Sequence, residues 1–135
     1  MYNFRKSKKG FTLIELMVVV AIIGVLALLG LRMYSGQQNK AKEAIVKANV
    51  GTAQTLVQAE MADGAISDLA TAVTIALEAE MHNPFNDADA AVIASSDAKI
   101  AGAVVVSEST PGTKYIFQGC NADEALFGDA LTAQR

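Results

Sequence analysis

Residues 8–24 read KKGFTLIELMVVVAIIG, and this stretch decides the architecture of the chain. From Phe11 to Leu31 the only charged side chain is Glu15. As a helix, residues 11–31 would be about 31 Å long, which matches the hydrocarbon thickness of a bilayer. Because the segment is both apolar and long enough, we expect it to form a helix that crosses a membrane.

Four basic residues and no acidic residue precede this segment: Arg5, Lys6, Lys8 and Lys9. Basic residues beside a membrane span favour its cytoplasmic side. We therefore expect a single-pass protein with residues 1–10 in the cytoplasm, residues 11–31 across the membrane and residues 32–135 on the far side.

A cationic stretch before an apolar one is also typical of a secretory signal peptide or a plain membrane anchor. A signal peptide carries a small-residue cleavage site after its apolar core, whereas the small residue here, Gly10, lies before the core. A plain anchor has no need of Glu15, because a charge inside a span costs about 2 to 3 kcal/mol, less near the interface. Glu15 therefore marks a functional site that requires a partner.

These residues resemble the prepilin signature of type IV pilins and of the pseudopilins of type II secretion and competence systems. The resemblance covers residues 8–24, and Tyr34 also falls where many such pilins carry tyrosine. The short leader is similar to that of the type IVa branch. Arg32 departs from that branch, since many type IVa pilins have proline at this position.

The resemblance implies a role for each matching residue. A membrane prepilin peptidase would cut between Gly10 and Phe11 and methylate the new amine of Phe11. Glu15 would then neutralise the Phe11 amine of a neighbouring subunit, because a free α-amine is largely cationic at neutral pH and needs a carboxylate in a low dielectric. Apart from the resemblance, Gly24 and Gly30 are interpreted as positions where the helix can melt locally, since each costs about 1 kcal/mol of helix stability relative to alanine.

The function implied by the resemblance is that of a structural subunit of a type IV pilus, polymerised for adhesion, surface motility or DNA uptake. Its partners would be other pilin subunits, the prepilin peptidase, an inner-membrane assembly platform and, before assembly, membrane lipid. The precursor would lie in the bacterial inner membrane and the assembled pilin in an extracellular filament. A major pseudopilin of a type II secretion or competence system is the alternative, and a non-polymerising anchored binding module is a third hypothesis.

The chain after the leader is acidic. Loss of residues 1–10 removes four of the 11 basic residues and none of the 14 acidic ones. Non-specific nucleic-acid binding depends on neutralising phosphates with Lys and Arg. We therefore expect no direct nucleic-acid binding.

Few side chains are available for chemistry. His82 is the only histidine and Cys120 the only cysteine, which excludes a histidine-based metal cluster and an intrachain disulfide, so we expect neither an enzyme nor a cofactor. We interpret His82 as a surface or cap residue and Cys120 as a small buried residue, with a free or intersubunit thiol as the alternative. The acidic loops within residues 87–97 and 121–129 lack EF-hand spacing and are interpreted as solvated, although Ca²⁺ binding, as in major pseudopilins, is the alternative.

The helix is expected to continue beyond the span to about Met61. An apolar stripe at helical spacing supports this, at Val46, Val50, Ala53, Val57 and Met61. Asp63-Gly64 predicts its end, because glycine tolerates the left-handed cap conformation.

The remaining pattern predicts an α+β fold, a long helical spine packed on a small antiparallel sheet. A second helix is predicted over residues 66–81, with Ser67 and Asp68 at its start and Pro84 just after its end. Residues 103–106 and 115–117 predict a hairpin buried on both faces, and residues 91–94 a weaker strand. Residues 121–135 are expected to end the chain as a short helix or an irregular segment.

Overall fold

The computed structural model describes residues 10–135, so the predicted leader lies outside the described residues except for Gly10. In chain order the elements are α1 (Leu13–Asp63), α2 (Leu69–Leu77), β1 (Val92–Ala94), β2 (Val104–Thr110), β3 (Lys114–Cys120) and β4 (Leu126–Gln134). The chain divides into two compact units between Gln37 and Gln38. The second unit, Gln38–Arg135, is called the head below. A long helix with a four-stranded sheet confirms the predicted α+β class.

The described part of the first unit, residues 10–37, contains the apolar part of α1. The helix is continuous here, and every described side chain up to Gln37 is exposed. The most apolar window of α1 has a mean hydropathy of 2.8, and the helix is long enough to cross a membrane. Among residues 10–135, α1 is the one candidate membrane span.

In the head, α1 ends in a Schellman motif. The Gly64 N–H donates to the Met61 carbonyl at 3.2 Å, and the Ala65 N–H donates to the Glu60 carbonyl at 3.0 Å. Gly64 has a φ of 80°, a left-handed conformation that glycine adopts without strain. The predicted stop after Asp63 is therefore confirmed.

Helix α2 is shorter than predicted, since it spans Leu69–Leu77 and not residues 66–81. Asp68 caps its start, where its carboxylate accepts a hydrogen bond from the Thr71 N–H at 2.8 Å. Glu80 has a left-handed φ of 49°, so the chain has left the helix well before Pro84. The apolar spacing misled the prediction because Ile66 and Met81 contact the core from outside the helix.

The four strands form one sheet in the order β1-β2-β3-β4. β2 and β3 form the predicted hairpin, with Val106 opposite Phe117. β3 and β4 are antiparallel, whereas β1 is parallel to β2. The sheet is therefore mixed at one edge, and the weaker strand prediction is confirmed by β1.

The prediction for the C-terminal segment is wrong. Residues 126–134 form β4, with Leu131 opposite Phe117 and Gln134 opposite Lys114. The sequence LFGDALTAQ lacks an apolar alternation, and Ala133 is the only buried residue of the strand. Backbone pairing with β3 therefore determines this strand, and the tertiary context overrides the local propensity.

The sheet is covered on both faces. One face packs against the predicted stripe of α1, which is buried, and against Ala72 and Ala76 of α2. On the other face lies a smaller cluster: Ile93, Ala103, Val105 and Cys120, with Ile100 packed against it. Burial on both faces is thus confirmed for β2, whereas β3 alternates and leaves Ile116 only half-buried.

Candidate processing and assembly segment

The predicted cleavage point lies in exposed chain ahead of the helix. Gly10 and Phe11 precede the first helical residue, Leu13, and the Phe11 side chain is 91% exposed. A Cβ built on Gly10 would meet no neighbouring atom within 4 Å. Gly10 and Phe11 are therefore exposed in the described chain, and cleavage between them stays a prediction.

Thr12 and Glu15 form a capping box at the start of α1. Glu15 Oε2 accepts hydrogen bonds from the Thr12 N–H at 2.9 Å and from the Thr12 hydroxyl at 2.7 Å. The Glu15 N–H in turn donates to Thr12 Oγ1 at 3.3 Å. Two backbone N–H groups that a helix start leaves without partners are thereby satisfied. The Thr-x-x-Glu pattern that signals this motif is visible in the sequence, but the interpretation of Glu15 as an intersubunit partner did not use it.

The capping box orients Glu15 without neutralising it. Both groups that donate to its carboxylate belong to Thr12 and are uncharged. A negative side chain in the first turn is also stabilised by the helix dipole. The Glu15 carboxylate is therefore held in place by its own chain and can still receive a cationic partner.

The apolar surface of α1 between Leu13 and Leu31 is exposed on every side of the helix. Large apolar side chains between Leu13 and Leu31 are 51 to 76% exposed. A helix that is apolar on every side is buried either in a membrane or among other helices. This part of α1 therefore requires lipid or neighbouring helices to cover it.

Gly24 and Gly30 lie within regular helix, since α1 is continuous through both. A Cβ at either position would meet no atom within 4 Å, so packing within this chain does not require glycine there. Local flexibility at these positions stays a prediction that depends on the low helix propensity of glycine.

In the head, Cys120 is fully buried, as expected, and burial raises the pKa of its thiol. His82 is exposed, and its carbonyl accepts a hydrogen bond from Asn49 Nδ2 at 3.1 Å, which agrees with a surface role. Among residues 10–135, no group of three or more His, Cys, Asp or Glu side chains is placed to hold a metal ion.

A comparison with known protein families points to the same segment. Residues 5–31 match the family model described as the prokaryotic N-terminal methylation motif. Fimbrial protein EcpB of Eikenella corrodens is 46% identical over 60 residues, which are 44% of this chain and 38% of that protein. The type IV major alpha-pilin of Moraxella bovis is 41% identical over 58 residues, 43% of this chain and 36% of that protein. A type IV major fimbrial protein FimA of Dichelobacter nodosus is 39% identical over 64 residues, 47% of this chain and 40% of that protein. No solved structure matches the chain.

The matched part of the chain is thus similar to a methylation motif and to relatives that are described as fimbrial proteins. Over the matched residues the chain is similar to type IV pilins and fimbrial proteins, in agreement with the resemblance of residues 8–24. The chain covers 36 to 40% of the length of the three relatives named above.

Proposed function

We propose that this chain is a structural subunit of a type IV pilus. The supporting observation is the exposed apolar surface of α1. Glu15 lies near the start of this surface, and the methylation motif overlaps it. A prepilin peptidase cuts between Gly10 and Phe11 and methylates Phe11. An inner-membrane assembly platform then moves the subunit from the bilayer into an extracellular filament, where neighbouring copies of α1 cover one another.

The location of the precursor follows from the same proposal. Residues 1–10 lie in the cytoplasm and residues 11–31 cross the bacterial inner membrane, because four basic residues and no acidic residue precede the span. Membrane lipid covers the apolar surface of α1 until sister subunits replace it. Residues 32–135 lie beyond the membrane.

Glu15 sets the axial offset between subunits. Its Oε2 accepts hydrogen bonds from Thr12 at 2.9 and 2.7 Å, so the carboxylate is oriented before a second subunit arrives. The Phe11 amine created by cleavage is largely cationic at neutral pH. In a low dielectric, a carboxylate that faces a cation is far less costly than either charge alone. Pairing of Glu15 with the Phe11 amine of a neighbour therefore favours one register among the possible ones.

Among the two filament hypotheses, the pilus is favoured because the relatives are described as fimbrial proteins and pilins. Adhesion, surface motility and DNA uptake are the roles that we propose for the filament. With 14 acidic residues in the chain and seven basic residues after the leader, this subunit is poorly suited to direct contact with DNA.

The test separates the two roles of Glu15 in cells. Glu15→Gln keeps an oxygen that can accept from the Thr12 N–H, so the capping box survives while the charge is lost. Glu15→Ala removes both features. Glu43→Gln, on the same helix beyond the apolar segment, is the control for the loss of one negative charge.

Filaments sheared from the cells are counted by electron microscopy, and their N-terminus is identified by mass spectrometry. We expect filaments with a methylated Phe11 from the unchanged chain and from the Glu43→Gln control, and none from either Glu15 variant. Normal filament numbers from Glu15→Gln would mean that the charge is not needed, which contradicts the pairing. Functional filaments whose subunits still begin at Met1 would overturn the proposed processing.

A further inference from the structure

We propose that Gln54 and Gln58 of α1 close the outer edge of β4 and so prevent a second copy of the chain from adding a strand to the sheet. β4 is the last strand in the sheet order, so it pairs with β3 on one side only. An open strand edge presents N–H and C=O groups that are a template for another strand. The proposal concerns the head alone and does not depend on the proposed pilus function.

Gln58 contacts the edge as an added strand would. Its Nε2 donates to the Gln134 carbonyl at 2.9 Å, and its Oε1 accepts from the Gln134 N–H at 3.0 Å. A side-chain amide carries the same donor and acceptor as a peptide group. Gln58 therefore replaces one residue of the absent partner strand.

Gln54 continues the same contact along the strand. Its Nε2 donates to the Thr132 carbonyl at 3.0 Å. One helical turn separates Gln54 from Gln58, a rise of about 6 Å, and two strand residues span about 6.6 Å. Because the two spacings nearly match, glutamines one turn apart on α1 can follow alternate residues of a strand edge.

Gln54 and Gln58 contact strand residues whose backbone N–H and C=O groups point away from β3. The Arg135 N–H donates to the Thr113 carbonyl at 3.1 Å, on the β3 side. Alternate residues of a strand direct their N–H and C=O to opposite sides, so Gln134 and Thr132 face outward. The two glutamines thus occupy three of the four outward backbone groups of these residues.

The opposite edge of the sheet is a short strand that one acidic side chain contacts. β1 has only three residues, and the Ala94 N–H donates to Asp97 Oδ2 at 3.2 Å. Short edge strands and charged side chains are common protections against edge-to-edge association. With both edges covered, heads at high local concentration are restricted to contacts other than strand pairing.

The test uses the full chain in detergent micelles. The double variant Gln54→Leu/Gln58→Leu removes the three contacts, and Gln37→Leu/Gln38→Leu adds the same apolar groups at exposed positions on the same helix. Association is measured by light scattering after size-exclusion chromatography over a range of protein concentrations. Amide hydrogen exchange reports on the Gln134 N–H.

We expect the double variant to associate with rising concentration beyond the level of the unchanged chain and of the control. At low concentration its Gln134 amide should lose roughly five- to tenfold protection, as expected for the loss of a hydrogen bond, and should regain it on association. Adding Thr132→Pro should reverse the association, because proline is tolerated on an edge strand and removes an outward N–H. If circular dichroism shows that the double variant does not fold, Gln58→Leu alone replaces it, with the same expected direction.

Three results would overturn the proposal. The folded variant could associate no more than the unchanged chain. The control could associate to the same extent, which would assign the effect to added apolar surface. The association could also persist with Thr132→Pro, which would exclude strand addition as its cause.

Discussion

Replacement of Asn83 by alanine should strongly destabilise the head, because this side chain joins the loop between α2 and β1 to the connection between β1 and β2. Asn83 is only 3% exposed. Its Oδ1 accepts from the Phe85 N–H at 2.9 Å and from the Asn86 N–H at 3.4 Å. Its Nδ2 donates to the Ala101 carbonyl at 2.9 Å and to the Ala90 carbonyl at 3.3 Å. Asn83→Ala removes all four hydrogen bonds.

The expected magnitude follows from the geometry of these bonds. The two bonds of 2.9 Å contribute about 1 to 1.5 kcal/mol each. The two longer bonds contribute little, because they exceed the usual range and involve Asn86 and Ala90, which are exposed and can bind water instead. We therefore expect the free energy of unfolding to fall by about 2 to 3 kcal/mol, a large share of the roughly 5 to 15 kcal/mol typical of a domain.

The assay is a short protease pulse applied to the full chain in micelles at increasing urea concentrations, which measures the unfolded fraction of the head. Asn86→Ala is the matched control, since this exposed side chain bonds to Asp89 and to the Ala88 N–H in the same loop. The control should change the free energy of unfolding by no more than about 0.5 kcal/mol. An Asn83→Ala chain as stable as the control would refute the reasoning.

Three further predictions concern the head. Gly102→Ala should destabilise the head more than Gly64→Ala in the same urea assay. Both glycines have a left-handed φ, 84° and 80°, so the backbone cost is similar. A Cβ on Gly102 would collide with the buried Asn83 side chain, whereas the nearest atom at Gly64 is the flexible end of the Arg135 side chain at 3.5 Å. Equal losses from the two variants would contradict this. The hydrogen bond from the first turn of α2 lowers the pKa of Asp68 below its ordinary 3.8, so its stabilising effect is present above that value and is lost as the pH falls through the lowered pKa. Amide hydrogen exchange in α2, relative to its intrinsic rate, should therefore accelerate below pH 3.8 in the unchanged chain. It should not accelerate in the control Asp68→Asn, because asparagine keeps the helix cap without a titrating group. The same acceleration in both proteins would argue against Asp68 as the cause. Cys120 should resist maleimide in the folded head, because it is buried and burial raises the pKa of its thiol, and should react once urea unfolds the head. Labelling of the folded protein at the rate of an exposed thiol would be inconsistent with the structure.

Much of the candidate site could be predicted from the sequence because its features depend on neighbouring residues. The apolar length of residues 11–31, the position of Gly10 ahead of it and Glu15 at its start are all visible in the printed chain. The capping box is equally visible in the sequence, as the pattern Thr-x-x-Glu. The pattern alone does not decide whether the capping box forms, since that requires the helix to begin at Leu13 and no earlier.

By itself, the sequence determined the long helix, its buried stripe, its end at Gly64 and the hairpin of β2 and β3. Apolar spacing, glycine conformation and a turn between two apolar runs act over a few residues, so each leaves a local signal. Only the tertiary structure decided that α2 stops at Leu77, that residues 126–134 form a strand and that two glutamines cover its edge. The contacting residues there are 76 and 78 positions apart in the chain, and no local pattern encodes a hydrogen bond over that distance.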